Sequence, residues 1–402
     1  MFGIAAVIFI LSDKSDIYCF LAFITPMAKG ISYAYLCCMA CVVLIFKVKN
    51  PRINAFGGVC ILFILILELL SGLLYDFSLF LYVRFLGVFI ICFFRMLDTD
   101  EHYDTRKMTL WFILGFLVAI ASLWGQMLNN YSFRALMTLG VRFGDTREQL
   151  DVSEGMRISY NQNELGFLCL LAFWACFCYL RSTGHRWSLI FGAISMLQGF
   201  LTQSRAFTLL ALFSILLAFL SVLSSRNKLR VGIVFVLMVS LAMLILNRYF
   251  SAYLEGLRQR FAIMDPSGNR TSLLRQYFAV WDDSAINMIF GVGLQSYSAK
   301  YDMSLSAHNS IQEILLTWGI LGLLFVTIVM LSAVYNAKRK MASLSLWQYA
   351  PFFVYILATQ SAQGFYDLAG ILRLMVAYCL MLLPLKSREN PSIIHMNGNN
   401  DI

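Results

Sequence analysis

Residues 187–230 read WSLIFGAISMLQGFLTQSRAFTLLALFSILLAFLSVLSSRNKLR, and this stretch decides the fold. Two apolar runs, 187–201 and 206–223, flank a polar turn, Thr202-Gln203-Ser204-Arg205, and the second run leads into Arg226, Lys228 and Arg230. A membrane helix needs about 20 mostly apolar residues, so the pattern is span, turn, span, basic loop. Runs of the same kind recur at 31–46, 55–75, 80–96, 109–127, 164–180, 230–247, 311–335, 348–364 and 370–386. Residues 2–11 and 17–28 are also apolar, with Asp13-Lys14-Ser15-Asp16 between them. We read them as one interrupted or re-entrant first span rather than a cleaved leader. The run 2–11 has no basic residue before it and no small-residue cleavage site after it.

Composition agrees. Of 402 residues, 60% are hydrophobic and only 13% charged, against about 25% charged in soluble domains; mean hydropathy is +0.73. A soluble enzyme and a disordered chain are both excluded. The expectation is an all-α polytopic membrane protein, a single integral domain over 1–402, with about 12 transmembrane helices. All ten cysteines fall inside apolar runs, which makes them packing residues rather than a disulfide framework or metal site.

Basic residues set the direction. Lys47, Lys49 and Arg52; Arg95, Arg106 and Lys107; Arg181 and Arg186; Arg226, Lys228 and Arg230; Lys338, Arg339 and Lys340; and Lys386 and Arg388 occupy alternate loops. The positive-inside rule makes those loops cytoplasmic. Both termini then lie inside, with 387–402 a cytoplasmic tail. The net charge of +9 needs no nucleic-acid partner.

Two segments too long and polar to be simple connectors, 128–163 and 248–310, fall on the outer face. The second should carry amphipathic helices, one of them over 271–290, with Leu274, Phe278, Trp281 and Ala285 at helical spacing. The basic residues of these segments are arginines (Arg134, Arg142, Arg147, Arg157, Arg248, Arg258, Arg260, Arg270, Arg275) except for Lys300. Arginine presents a planar fork of donors suited to phosphate. Local pairing with Asp145, Glu148, Asp151, Glu154, Glu255 and Asp265 is the competing reading of any one of them.

Three outer motifs carry the chemistry. In Thr202-Gln203-Ser204-Arg205, Thr202 or Ser204 can cap the following helix, and Arg205 stands at its N-terminal end, where backbone N–H groups favour anions. Snorkelling to lipid phosphate is the alternative. The second motif runs Gly268-Asn269-Arg270, Arg275, Trp281, Gly291-Val292-Gly293. The third is His308-Asn309 followed by Gly319-Ile320-Leu321-Gly322, and His308 is the one histidine of four expected on the outer face. His308 is either a polar cap or a general base.

The order of these motifs resembles the O-antigen ligase and polymerase family of bacterial envelope glycosyltransferases, best over about 160–330. Upstream, Arg157, Tyr160, Asn161, Gln162 and Asn163 resemble the family's Arg…Asn-x-Asn segment before a membrane helix. The spacing to Trp281 departs from the family's, so Arg270 and Arg275 both qualify as its loop arginine. The resemblance implies transfer of a glycan from a polyprenyl diphosphate carrier onto an acceptor sugar, outside the bacterial cytoplasmic membrane, with no cofactor and no metal. It implies His308 and Arg205 as catalytic residues, and Arg157, Asn163, Arg270, Arg275 and Asn309 as binders of diphosphate or glycan. The partners implied are a lipid-linked oligosaccharide donor, a glycan acceptor, membrane lipids, and a flippase and chain-length regulator.

Within that family a polymerase joins lipid-linked repeat units, whereas a ligase places glycan on lipid A-core. We favour the polymerase, since nothing in the chain indicates an outer membrane. A flippase or other secondary transporter is the alternative class, suggested by the intramembrane charges Glu68, Arg84 and Arg373. Glu68 and Arg84 could instead pair between adjacent helices, and no inverted repeat is visible.

Overall fold

A computed structural model describes residues 14–30, 53–74, 89–90, 92–99, 103–144, 161–223, 228–262, 270–293, 309–341, 346–361 and 368–384. All regular structure among them is helical. The helices are α1 (Lys14–Ile24, continued by a 3-10 turn, Thr25–Gly30), α2 (Ala55–Leu74), α3 (Thr105–Asn130), α4 (Phe133–Leu139) and α5 (Gln162–Thr183). Then come α6 (Trp187–Leu201), α7 (Arg205–Leu223), α8 (Lys228–Tyr249), α9 (Ser251–Ala262), α10 (Arg270–Trp281) and α11 (Ala285–Phe290). The last are α12 (Ser310–Lys340), a 3-10 turn (Leu346–Tyr349), α13 (Ala350–Thr359) and α14 (Leu368–Met381). Four of them, α3, α5, α7 and α12, are long and apolar enough to cross a membrane, and shorter apolar helices accompany them. Of the remaining expected spans, 31–46 and most of 80–96 lie outside the described residues, as do 145–160 and 387–402.

α5 is the central pillar. The apolar window of this helix is 83% buried, and α3, α6, α7, α13 and α14 all pack on it. Cys169, Cys176 and Cys178 pack inside this core. On α7 the corresponding window is only 28% buried, and Leu209, Leu212, Leu216 and Leu220 point outward along one flank. A stripe that large would be a liability in water; against lipid tails it carries no such penalty.

Local chemistry sets the helix ends. The Asp104 side chain accepts from Lys107 N at the start of α3, Asn161 accepts from Asn163 N at the start of α5, and Ser284 accepts from Asn287 N before α11. Gly140 and Gly184 close α4 and α5 in the left-handed conformation.

The polar residues Lys14–Asp16 open α1, with Asp16 paired to Lys107 at 2.6 Å; the run 2–11, the other half of the expected interrupted span, lies outside the described residues. The structure corrects three expectations. The single amphipathic helix expected over 271–290 is two helices, because Asp282 and Asp283 form a turn and Ser284 caps a new start. The buried face of α10 is Tyr277 and Val280, while Leu274 and Phe278 remain exposed.

The third correction concerns α12. Gly319 breaks this helix with φ 65° and ψ −163°. A break frees the carbonyls of the preceding turn, and at membrane depth they need partners. Val292 N donates to Leu316 O at 2.7 Å and Gly293 N donates to Thr317 O at 2.9 Å. The Gly291-Val292-Gly293 motif is thus a backbone plug. A Cβ on Gly319 would fall 2.3 Å from the Ile289 carbonyl carbon, and one on Gly291 would fall 2.4 Å from that of Thr317.

Candidate functional site

The Thr202–Arg205 turn must reverse the chain between α6 and α7 in few residues. Gln203 therefore adopts φ 51°, the one positive φ outside glycine among the described residues. Such a conformation costs about 1–3 kcal/mol and persists only where the surroundings impose it. Here they do. Thr202 Oγ1 donates to Gly199 O (2.6 Å) and accepts from Ser204 N (3.2 Å). Gln203 Nε2 donates to Gly140 O (2.8 Å), Arg142 Nε donates to Thr202 O (3.2 Å), and Phe143 N donates to Leu201 O (3.1 Å). Thr202, Gln203 and Ser204 are all buried.

Ser204 links the turn to α5. Its hydroxyl accepts from Phe207 N (3.3 Å), capping α7, and donates to Asn163 Oδ1 (2.7 Å). Asn163 thereby joins the same cluster as Arg205. From the other side α9 lies across the turn. Gly256 permits that approach, since a Cβ there would sit 2.7 Å from Gln203 Oε1. Tyr253 OH reaches the carbonyls of Leu136 (3.2 Å) and Val141 (3.0 Å), fixing α9 to the segment after α4.

Arg205 Nη1 donates to the carbonyl of Arg260 at 3.2 Å. This bond satisfies an otherwise orphaned carbonyl near the end of α9 and brings a second guanidinium beside the first. Burial, then repulsion from Arg205, lowers the Arg260 pKa from its usual value. Arg260 Nε is buried and has no hydrogen-bond partner among the described residues. The acid nearest along α9, Glu255, is exposed and lies 4.0 Å from Arg258 instead.

The third element is the start of α12. Asn309 Oδ1 accepts from Ile311 N (3.0 Å) and Gln312 N (3.1 Å), and its Nδ2 donates to Gln360 O (3.1 Å). Ser310 Oγ donates to Thr359 O (3.0 Å). One residue earlier on α13, Ala358 packs with Phe167 of α5 and with Ala206 and Leu210 of α7. Two contacts, through the end of α13, therefore connect the Arg205 turn to Asn309.

The expected site residues fall into three groups. Arg205, Asn163 and Asn309 are linked as just described. Arg275 is exposed on α10, which packs on α12 and α11, and Arg270 opens the same helix. His308 and Arg157 lie outside the described residues. Sequence reasoning did not single out Arg260 or Arg142 from the other outer arginines, because their placement depends on contacts from α9 and the 140–144 segment that no local pattern announces. Glu68 Oε1 accepts from Trp318 Nε1 at 2.8 Å, just before the α12 break; Arg84, with which Glu68 could pair, lies outside the described residues.

Comparison with the curated proteins found no match. Residues 190–327 match the family model described as O-antigen ligase, a stretch that contains Arg205, Arg260, Arg270, Arg275, the Gly291–Gly293 plug, His308, Asn309 and the Gly319 break. Residues 190–327 are therefore similar to an O-antigen ligase domain, set within a multi-pass membrane protein.

Proposed function

We propose that this protein is a polymerase that joins polyprenyl-diphosphate-linked glycan units on the outer face of the bacterial cytoplasmic membrane. The observation that carries the proposal is the Arg205 turn: a guanidinium held at a helix start, beside Arg260, and tied through α13 to the residue that follows His308. Similarity to the family supports glycan transfer, by ligation or polymerisation.

In this reading an acceptor hydroxyl oxygen bonds to the anomeric carbon of the donor. The bond from that carbon to the diphosphate oxygen breaks, and polyprenyl diphosphate leaves. His308 takes the hydroxyl proton. Negative charge builds on the leaving diphosphate, and arginines already fixed in place stabilise it without reorganisation. Arg205 supplies a two-pronged contact to phosphate oxygens. Arg157, Arg270 and Arg275 add charge along the donor glycan and diphosphate, and Asn163 orients the turn through Ser204. Asn309 has its amide committed to capping α12 and holding Gln360, so its part is to aim His308. Both long polar segments, 128–163 and 248–310, face outward, and both termini are cytoplasmic. A flippase delivers the donor, and a chain-length regulator acts on the product.

The test is transfer by purified protein in lipid nanodiscs, supplied with lipid-linked oligosaccharide alone or together with lipid A-core. Polymer that stays on the polyprenyl carrier without lipid A-core supports the polymerase. Product formed only on lipid A-core would make it a ligase. Movement of lipid-linked sugar across proteoliposomes without any new glycosidic bond would make it a transporter.

A further inference from the structure

We propose that the crevice between α10 and the start of α12 is a sugar subsite for the glycan acceptor, with Trp281 donating a hydrogen bond to one sugar hydroxyl and Phe278 forming the platform under the ring. The inference rests on the glycan transfer proposed above and adds a binding place for the acceptor.

Tyr277, Phe278 and Trp281 of α10 and Gln312, Leu315 and Leu316 of α12 line this crevice. It encloses about 10 Å³, which admits one water-sized group and no ring. Most of the wall is apolar. The exception is the Trp281 indole, whose Nε1 is buried with no hydrogen-bond partner among the described residues. An indole nitrogen only donates, and leaving such a donor unmet costs about 1–3 kcal/mol. A lipid tail or an apolar helix laid on this face would leave it unmet. A hydroxyl oxygen in the crevice satisfies it.

The rest of the sugar has a place just outside. Phe278 is 41% exposed, and its ring meets that of Trp281 edge to face, with centroids 6.0 Å apart at 70°. The two rings form a corner, so an apolar surface stays open beside the crevice. A pyranose offers the matching surfaces, an apolar C–H face and a rim of hydroxyls, and ligand sites combine aromatic walls with a few placed polar groups in this way. Position favours the acceptor over the donor. Gln312 N donates to Asn309 Oδ1 at 3.1 Å, and Gln312 Nε2 reaches Leu274 O at 3.5 Å. The crevice is thus tied to the turn that follows His308, the residue assigned above to the acceptor hydroxyl.

The experiment uses the purified full chain in lipid nanodiscs. The donor is lipid-linked oligosaccharide extracted from the source bacterium. The acceptor probe is the same oligosaccharide released from its diphosphate and fixed as a fluorescent octyl glycoside, which can accept but has no diphosphate to lose. Trp281→Phe keeps an aromatic ring and removes the N–H, so the KM for the glycoside should rise about tenfold, with kcat and the donor KM within about twofold of wild type. Phe278→Ala should raise the glycoside KM about three- to tenfold. Ile286→Ala, at a 70% exposed apolar position on α11, should match the wild type. Among glycosides lacking single hydroxyls, one should lose about tenfold with the wild type and nothing further with Trp281→Phe. An unchanged glycoside KM in Trp281→Phe would mean that a water fills the crevice, which overturns the subsite and leaves glycan transfer standing. A rise in the donor KM alone would overturn the acceptor assignment. Equal losses in all three variants with a lower Tm would make this face structural and also overturn it. A wild type that forms no glycosidic bond with any acceptor would remove the transfer reading, and the subsite with it.

Discussion

The two ends of the helix bundle treat their cations differently. At the end where α1 and α3 begin and α12 finishes, each described contact closes inside the protein. Lys107 pairs with Asp16, Arg106 Nε donates to Ser182 Oγ at 2.8 Å, Arg181 lies over the Trp347 ring at 4.9 Å, and the buried Arg95 stacks on Tyr103 at 3.8 Å. Tyr103 in turn donates to Asp98 Oδ2 at 2.6 Å. These cations anchor the bundle. At the opposite end, Arg205 donates to the backbone carbonyl of Arg260, Arg275 is exposed, and Arg142 braces the turn between α6 and α7. The same residue type is thus a strut at one end and a waiting donor at the other. What separates the two uses is the kind of partner: a carboxylate, a hydroxyl or an aromatic ring at the first end, and a backbone carbonyl for Arg205 and Arg142 at the second.

The sharpest way to break the comparison is to remove the backbone frame behind the second end. Gly319→Val combines a positive φ, which a β-branched residue tolerates poorly, with a clash against the Ile289 backbone. We expect little folded protein by size-exclusion chromatography. Gly125→Ala, where a Cβ meets nothing within 4 Å, should be neutral in the same assay.

Next in size is His308→Ala. Loss of a general base costs roughly a hundredfold or more in rate, and donor binding should stay close to normal because the base serves the acceptor. Single-turnover transfer, with donor affinity measured alongside, checks both halves. A proportionate fall in donor affinity would place His308 on the diphosphate instead.

The smallest effect belongs to the anchoring end. Tyr103→Phe keeps the ring beneath Arg95 but removes the bond to Asp98, a loss of about 1.5 kcal/mol in stability. Transfer per folded molecule should be unchanged. A tenfold fall in transfer at equal folded protein would mean that the anchoring end shares in the chemistry.

Much of this was readable in advance, in places where the information is local. Apolar runs located the helices because burial in lipid demands uniform hydrophobicity, and Ser204 and Arg205 stood out because a polar turn between two such runs has few alternatives. Non-local features were not readable. The chain across α12 breaks at Gly319 although 311–335 reads as one mostly apolar run, since the partners for the freed carbonyls come from Val292 and Gly293. Arg260 looked like Arg258, two residues away, until α9 was seen to lie across the Gln203 turn. The split between α10 and α11 turned on Ser284 acting as a cap, which outweighed the helical spacing of apolar residues through Ala285.

The most direct measurement is a pair of lysine swaps, one at each end, assayed for glycan transfer from the lipid-linked donor at matched levels of folded protein. Arg205→Lys keeps the charge and loses the fork, so the rate should drop roughly ten- to hundredfold, as expected for loss of one charge-assisted hydrogen bond at the transition state. Arg181→Lys, over the Trp347 ring, should transfer glycan at nearly the wild-type rate. Near-normal transfer by Arg205→Lys, or equal losses from both swaps, would contradict the assignment of the Arg205 end as the site where the diphosphate leaves.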